Sequence, residues 1–374
     1  MAGVAILRNL RVRALACAVV AAICAGTQGH ANVRPELAAS LSDTEFWGLI
    51  DNLSEPDGFF DSDNLLSNET TFQYVIPRLT KAVMPGTAYL GVGPEQNFPY
   101  IIAVRPGIAF VTDIRRGNLQ EHLMYKALFE MSADRAEFLS LLFARARPAS
   151  VGRGTPVGPL LAAYESARPD EALYRRTLAA IGRWFSEHHH AALRADDLAG
   201  IEYVYRAFHT AGPSLSYNSA RVQRTRYPTY AELQQETDGD GRPRGYLASE
   251  ENFLAIKQFE ARNLLVPLVG DFAGPKTLRA VGRYLHQHGA SVGAFYTSNV
   301  ENYLFQDGNW RRFADNAAML PLNGGSTFIR ACFDRCPSAA GSRSTTLLDS
   351  MPRLLRDVAA GRIRTYFDVL AHSD

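Results

Sequence analysis

At 374 residues, 47% of them hydrophobic, the chain is long enough for one large domain or two ordinary ones. Its 39 basic and 38 acidic side chains leave a formal net charge of +1, which argues against a nucleic-acid binder driven by bulk charge. The sequence after residue 31 contains no low-complexity tract, internal repeat or apolar run of membrane-spanning length.

Residues 1–31 read as a cleavable signal peptide. Arg8, Arg11 and Arg13 form a basic start, residues 14–25 a short apolar core, and Gly29-His30-Ala31 a small-residue cleavage region. The core is too short to cross a bilayer comfortably, so no stable membrane span is expected after cleavage. Export to the periplasm or beyond follows from this reading; a misassigned start codon would instead leave the protein in the cytoplasm. Cleavage removes three arginines and no acids, leaving a net charge of about −2. It also removes Cys17 and Cys24, so that Cys332 and Cys336 remain. An even pair in an oxidising compartment is a disulfide candidate. Free thiols and half of a metal site are the competing readings, although no other Cys or His cluster flanks the pair.

Residues 32–86 are expected to form an N-terminal helical segment. Apolar residues recur at helical spacing over 41–53 and are interrupted at 54–58; residues 72–79 lead to a turn at 84–86. A first strand is expected at 88–92, running into the turn Gly91-Val-Gly93-Pro-Glu95-Gln-Asn97. A short helix fits within 98–106. A second apolar run, 108–112, ends in Asp113. Residues 87–118 thus read as the first part of an α/β domain.

Residues 119–262 read as a large helical insertion or cap. Helical periodicity covers 119–147, with a restart capped by Ser132, and resumes over 162–211. The stretch 213–244 is polar and carries Tyr217, Tyr227 and Tyr230, with Tyr246 just beyond; these line a substrate lid or simply pack. Alternation returns over 263–374. A strand at 264–269 ends in Gly270-Asp271, a helix spans 274–288, and a strand at 291–296 leads to Ser298-Asn299. A helix at 310–320, a strand at 326–333, a helix at 345–360 closed by Gly361 and a last strand at 363–370 complete the pattern. Such alternation predicts an α/β fold with a mainly parallel sheet and helices on both faces.

Four strand tips carrying small or polar groups would then share the C-terminal edge of one sheet, where open α/β sheets bind ligands. The glycine turn, a helix-length gap and an acid closing the next strand form a layout suited to a nucleoside. Glycines let the backbone approach the ligand, and the acid takes the ribose hydroxyls. This order resembles the S-adenosylmethionine-dependent methyltransferase superfamily. The resemblance implies a Rossmann-like domain of methyltransferase type, S-adenosyl-L-methionine as cofactor and a small-molecule acceptor. It places Gly91, Gly93, Glu95, Asn97, Asp113 and Asp271 on the cofactor side. Ser298 and Asn299 fall on the substrate side, joined by Glu301 as a candidate base and Tyr303 as an orienting hydroxyl. The family's acid two residues before the first glycine is here Tyr89, and Glu95 stands in for the missing carboxylate. The chain as a whole also resembles a set of uncharacterised bacterial proteins that share Gly-Val-Gly-Pro-Glu-Gln-Asn and Asp-Ile-Arg-Arg. Residues 113–143, an acid-tipped strand running into a Leu-rich helix, are similar to betaine-lipid aminocarboxypropyl transferases.

Three function classes follow. The first is an S-adenosylmethionine-binding transferase. The second is an exported, non-enzymatic protein binding a nucleoside-type ligand. The third, a nicotinamide dehydrogenase, wants glycine where Gln96 stands. Arg115 and Arg116 read as contacts for an anionic substrate or for Glu95, or as a solvated helix start. His188-His189-His190 reads as a polar surface run, because neighbouring helical side chains diverge by about 100°. His286 and His288 read as surface groups, and no metal site is assigned. No Gly-x-Ser-x-Gly elbow closing a predicted strand, no phosphate loop and no His-Glu-x-x-His motif is found.

Overall fold

The computed structural model describes residues 36–191, 193–217, 227–333, 336 and 342–374, so the expected signal peptide lies outside the described residues. Six strands build one sheet: β1 (Ala88–Gly91), β2 (Ile108–Asp113), β3 (Leu265–Val269), β4 (Val292–Ser298), β5 (Leu322–Phe333) and β6 (Ser344–Ser350). Every residue of β1, β2 and β3 is buried, as a parallel sheet covered on both faces requires. The order is β3-β2-β1-β4-β5-β6. Strands β1 to β5 pair in parallel and β6 returns antiparallel to β5. This is a Rossmann-like α/β fold, and its strand order reverses between β1 and β4.

Two runs of helices pack on the sheet. One links α1 (Asp43–Leu53), which lies on β3, through Thr277–Gln287 and Trp310–Ala317 to Met351–Ala359 on β5. The other links Ile76–Ala82, Asn97–Val104 and Glu250–Ala261 to Arg116–Met131, which lies on β2 and β3. Residues between β2 and β3 are mainly helical, and residues 36–374 form one compact unit. The helix restart near 132 is capped by Asp134, whose side chain accepts from the Glu137 amide at 2.8 Å. Ser132 Oγ instead donates back to the Leu128 carbonyl at 2.6 Å.

Two expectations near the C-terminus change. Residues 345–360 are not one helix: 344–350 form β6, and the helix begins only at Met351. The run Ser344-Thr-Thr-Leu-Leu carries β-branched residues and alternates in burial, and pairing with β5 outweighs its leucines. Residues 363–370 form no strand. Thr365 and Asp368 make a reciprocal capping box that starts the helix Tyr366–His372.

The loop at 54–71 has no helix or strand and crosses the tips of β2 and β3 as a strap. The Glu55 amide donates to the Val269 carbonyl and the Gly58 amide to the Ile114 carbonyl, both at 2.8 Å. The Glu55 carboxylate accepts from the amides of Asp271, Lys276 and Thr277 at 3.1, 2.7 and 2.9 Å. These bonds hold the strap above the edge where the strand order reverses.

Candidate functional site

Beneath the strap is a cavity of about 250 Å³. The tips of β1, β2, β3 and β4 supply Gly93, Asp113, Asp271, Ser298 and Asn299 to its lining, and Tyr303 follows from the next helix. Gly93 has φ +75°, a conformation open to glycine at little cost. Asp113 is buried, and burial raises its pKa against the lowering effect of Arg115. Its Oδ1 accepts from the Arg115 amide at 2.9 Å, with the Arg115 guanidinium 3.5 Å away. Asp271 Oδ1 accepts from the Ala273 amide at 2.8 Å. Each acid therefore shapes its own turn while lining the cavity.

Three residues expected on the cofactor side lie outside the lining. Asn97 is fully buried; its Nδ2 donates to the carbonyls of Val92, Gly93 and Pro94 at 3.0, 3.1 and 2.7 Å, and its Oδ1 accepts from Tyr89 at 2.9 Å. It braces the turn. Gly91 is glycine because of that brace: an added Cβ would stand 1.9 Å from Asn97 Oδ1. Glu95 is buried behind the turn, where burial lifts its pKa to about 8.

Glu301 is also displaced from its expected role as base. It is buried against Arg330, with Nη2 to Oε1 at 3.1 Å and Nε bonded to Oε2, while Arg330 Nη1 reaches Asp349 at 2.9 Å. A carboxylate held by a buried guanidinium has a structural task. The Arg116 guanidinium forks onto Asp197 at 2.7 and 2.8 Å rather than onto Glu95, and its amide donates to Asp57 of the strap at 2.6 Å. Arg115 donates to the Asp63 carbonyl of the strap. The tyrosines divide. Tyr217 lines the cavity and its ring lies 5.1 Å from that of Tyr227, whereas Tyr230 and Tyr246 share a buried hydrogen bond of 2.6 Å. His189 is buried rather than exposed, 2.8 Å from both Asp43 and Glu130. Among the described residues no group of three His, Cys, Asp or Glu is placed to hold a metal. None of the described helices is long and apolar enough to cross a membrane. Cys332, near the end of β5, is joined to Cys336 as a disulfide with Cα atoms 6.0 Å apart.

Sequence reading missed the strap's contribution. Phe59, Phe60, Asn64 and Glu69 all line the cavity. Glu69 is 1% exposed; it accepts from Tyr296 at 2.7 Å, from Gln96 at 2.8 Å and from Ser298 Oγ. Burial raises its pKa against those three hydrogen bonds. Nothing in Ser67-Asn-Glu-Thr-Thr71 marks Glu69, because an acid in a polar loop is ordinarily solvated.

Fold and cavity together define the class: a Rossmann-like α/β protein with a small, partly open cleft at the sheet's switch point. The chain belongs to the family described as a domain of unknown function (DUF7790), which matches residues 65–153 and 170–351. That match includes Glu69, the glycine turn, Asp113 and the tips of β3 and β4. No curated protein matches the chain.

Proposed function

We propose that the cavity binds a nucleoside-type small molecule and that the protein is a methyltransferase-like transferase using S-adenosyl-L-methionine. The observation that carries this reading is the pairing of Asp113, at the tip of β2, with the Gly93 turn after β1 in one cavity at the switch point. Asp113 would accept from the two ribose hydroxyls, and Gly93 would let the backbone approach the ligand. Four lining carboxyls, Glu69, Asp113, Asp271 and Asp307, suit a neutral or cationic ligand such as a sulfonium better than a pyrophosphate. A cavity of about 250 Å³ also favours a single nucleoside over a dinucleotide. Both points rank S-adenosylmethionine above NAD. When bound, that cofactor would supply an electrophilic methyl group. The chain's own work is then to align the acceptor, with Ser298, Asn299 and Tyr303 on that side.

One observation favours the second reading, an exported binding protein. The Cys332–Cys336 bond is of a kind that persists in oxidising compartments, whereas S-adenosylmethionine is made in the cytosol. Titration calorimetry on wild type and Asp113→Asn separates the two, with S-adenosylmethionine, S-adenosylhomocysteine, adenosine and NAD as ligands. A charge-assisted hydrogen bond contributes about 1.5–3 kcal/mol, so the variant should bind roughly 10- to 150-fold more weakly. Binding of the first two ligands, weakened in the variant, supports the transferase. Binding of adenosine alone supports the carrier. If no ligand binds wild type, the nucleoside reading fails.

A further inference from the structure

The tip of β4 makes a second chemical centre in the same cavity. Ser298 ends the strand and Val300 begins the next helix, so the chain turns sharply at residues 298 and 299. Ser298 makes this turn with φ +52°, a left-handed conformation that a non-glycine residue rarely adopts. Strain of this kind persists where the surroundings enforce it, and it collects at functional sites. A serine on a strained strand-to-helix turn presents its hydroxyl at the top of the sheet. The familiar motif relieves such a turn with glycines two residues either side; here those places hold Tyr296 and Val300, so a motif search passes over it.

The hydroxyl has a partner. Ser298 Oγ donates to Glu69 Oε1, which also accepts from Tyr296 at 2.7 Å. Gln96 fixes the other carboxylate oxygen at 2.8 Å. A nucleophile bonded to a base, with Gln96 orienting that base through its other oxygen, is the arrangement that covalent catalysis needs. Burial disfavours the charged carboxylate, which makes Glu69 a stronger proton acceptor than a solvated glutamate. Phe59, Phe60, Tyr217 and Tyr303 give the cavity aromatic walls suited to an apolar acyl or aryl group. Ser298 lies two strands from the tip of β2, about 10 Å from Asp113.

We propose that Ser298 is a nucleophile and Glu69 its general base, and that the cavity transfers acyl groups from small esters with an apolar acyl or aryl part. This inference goes beyond the nucleoside reading and does not depend on it. Ser298 Oγ attacks the ester carbonyl carbon while its proton passes to Glu69. The carbon–oxygen bond to the alcohol then breaks, and the alcohol leaves with that proton. Water attacks the acyl-serine, gives a proton to Glu69, and the Ser298 oxygen departs and recovers it. The step consumes one water and regenerates the carboxylate.

An alkyl fluorophosphonate tests the pair without knowledge of the ester. Ser298 Oγ displaces fluoride from phosphorus, and the adduct is stable to mass spectrometry. The full chain should gain one adduct, mapped to Ser298 and absent in Ser298→Ala. General-base assistance contributes about 10²–10⁴-fold, so Glu69→Gln should slow labelling by at least about 100-fold with an unchanged melting profile. If Glu69→Gln does not fold, Tyr296→Phe decides: it frees Oε1 of a competing donor and should speed labelling. No adduct on wild type, an adduct elsewhere, or labelling that neither Glu69→Gln slows nor Tyr296→Phe speeds overturns the proposal. Calorimetry with adenosine on the same samples reports the nucleoside reading separately.

Discussion

Asn97 commits its side-chain amide to the turn that precedes it, with one Tyr89 hydroxyl and three backbone carbonyls as partners. Replacing it with alanine leaves those buried groups without their partner. Each unsatisfied buried polar group costs about 1–3 kcal/mol, and some of these carbonyls would find water, so Asn97→Ala should destabilise by about 3 kcal/mol. Urea unfolding reads this as a lower midpoint at constant slope. A loss under about 0.5 kcal/mol would mean that the turn holds its shape without the brace. Gly93 and Asp113 were legible in the sequence because a glycine turn and a strand-terminal acid leave local marks. The role of Asn97 was not, since the same amide serves equally well for a ligand or a loop. Burial distinguishes the two, and it depends on residues far along the chain. Glu69 left no mark at all: its environment comes from Tyr296 and Ser298, more than 200 positions away.

Strands β1 to β4 were visible as apolar runs because parallel strands are buried on both faces and carry little polar interruption. Strand β6 was hidden because its pairing with β5 across a hairpin, not its composition, fixes its conformation. That hairpin carries the buried charge of the molecule's far edge. Arg330 on β5 is fully buried between Glu301, on the helix after β4, and Asp349 on β6. Breaking a buried ion network by removing one partner leaves uncompensated charge and typically costs about 3–5 kcal/mol. Arg330→Met should therefore lose that much. Adding Glu301→Met should restore most of it, because Asp349 keeps contacts to Arg353 and His372 at 3.3 and 2.8 Å. Denaturant midpoints of the single and double variants decide the matter. A single variant no worse than the double would show that the network is not electrostatically coupled.

Three distant segments meet at His189, and no local pattern in the sequence announces it. Its Nδ1 faces Asp43 on α1, and its Nε2 faces Glu130 near the end of the helix Arg116–Met131. Asn263 supports Asp43 at 2.9 Å, while Trp184 and Lys126 each support Glu130 at 2.8 Å. Burial works against a charged His189, yet its two carboxylate hydrogen bonds outweigh that and hold the pKa above its ordinary 6.5. Burial likewise opposes Glu130, but His189 and Lys126 bring it from 4.5 down to about 2. Asp43 is lowered by the same contact, again against burial. The signs follow from linkage. A raised histidine stabilises fully below about pH 6.5 and loses that contribution as pH climbs through its folded value. A lowered glutamate stabilises above about pH 4.5 and loses it as pH falls toward 2. Both act together between about pH 4.5 and 6.5. His189→Gln keeps some hydrogen bonding but no charge, so it should lower stability by roughly 1.5–3 kcal/mol in that window. The gap between wild type and variant should narrow toward pH 9, where His189 is neutral. It should narrow again toward pH 2, where the acids protonate. Melting curves of both proteins across that range measure the gap directly. A gap that stays constant with pH would mean that His189 joins the three segments by shape alone.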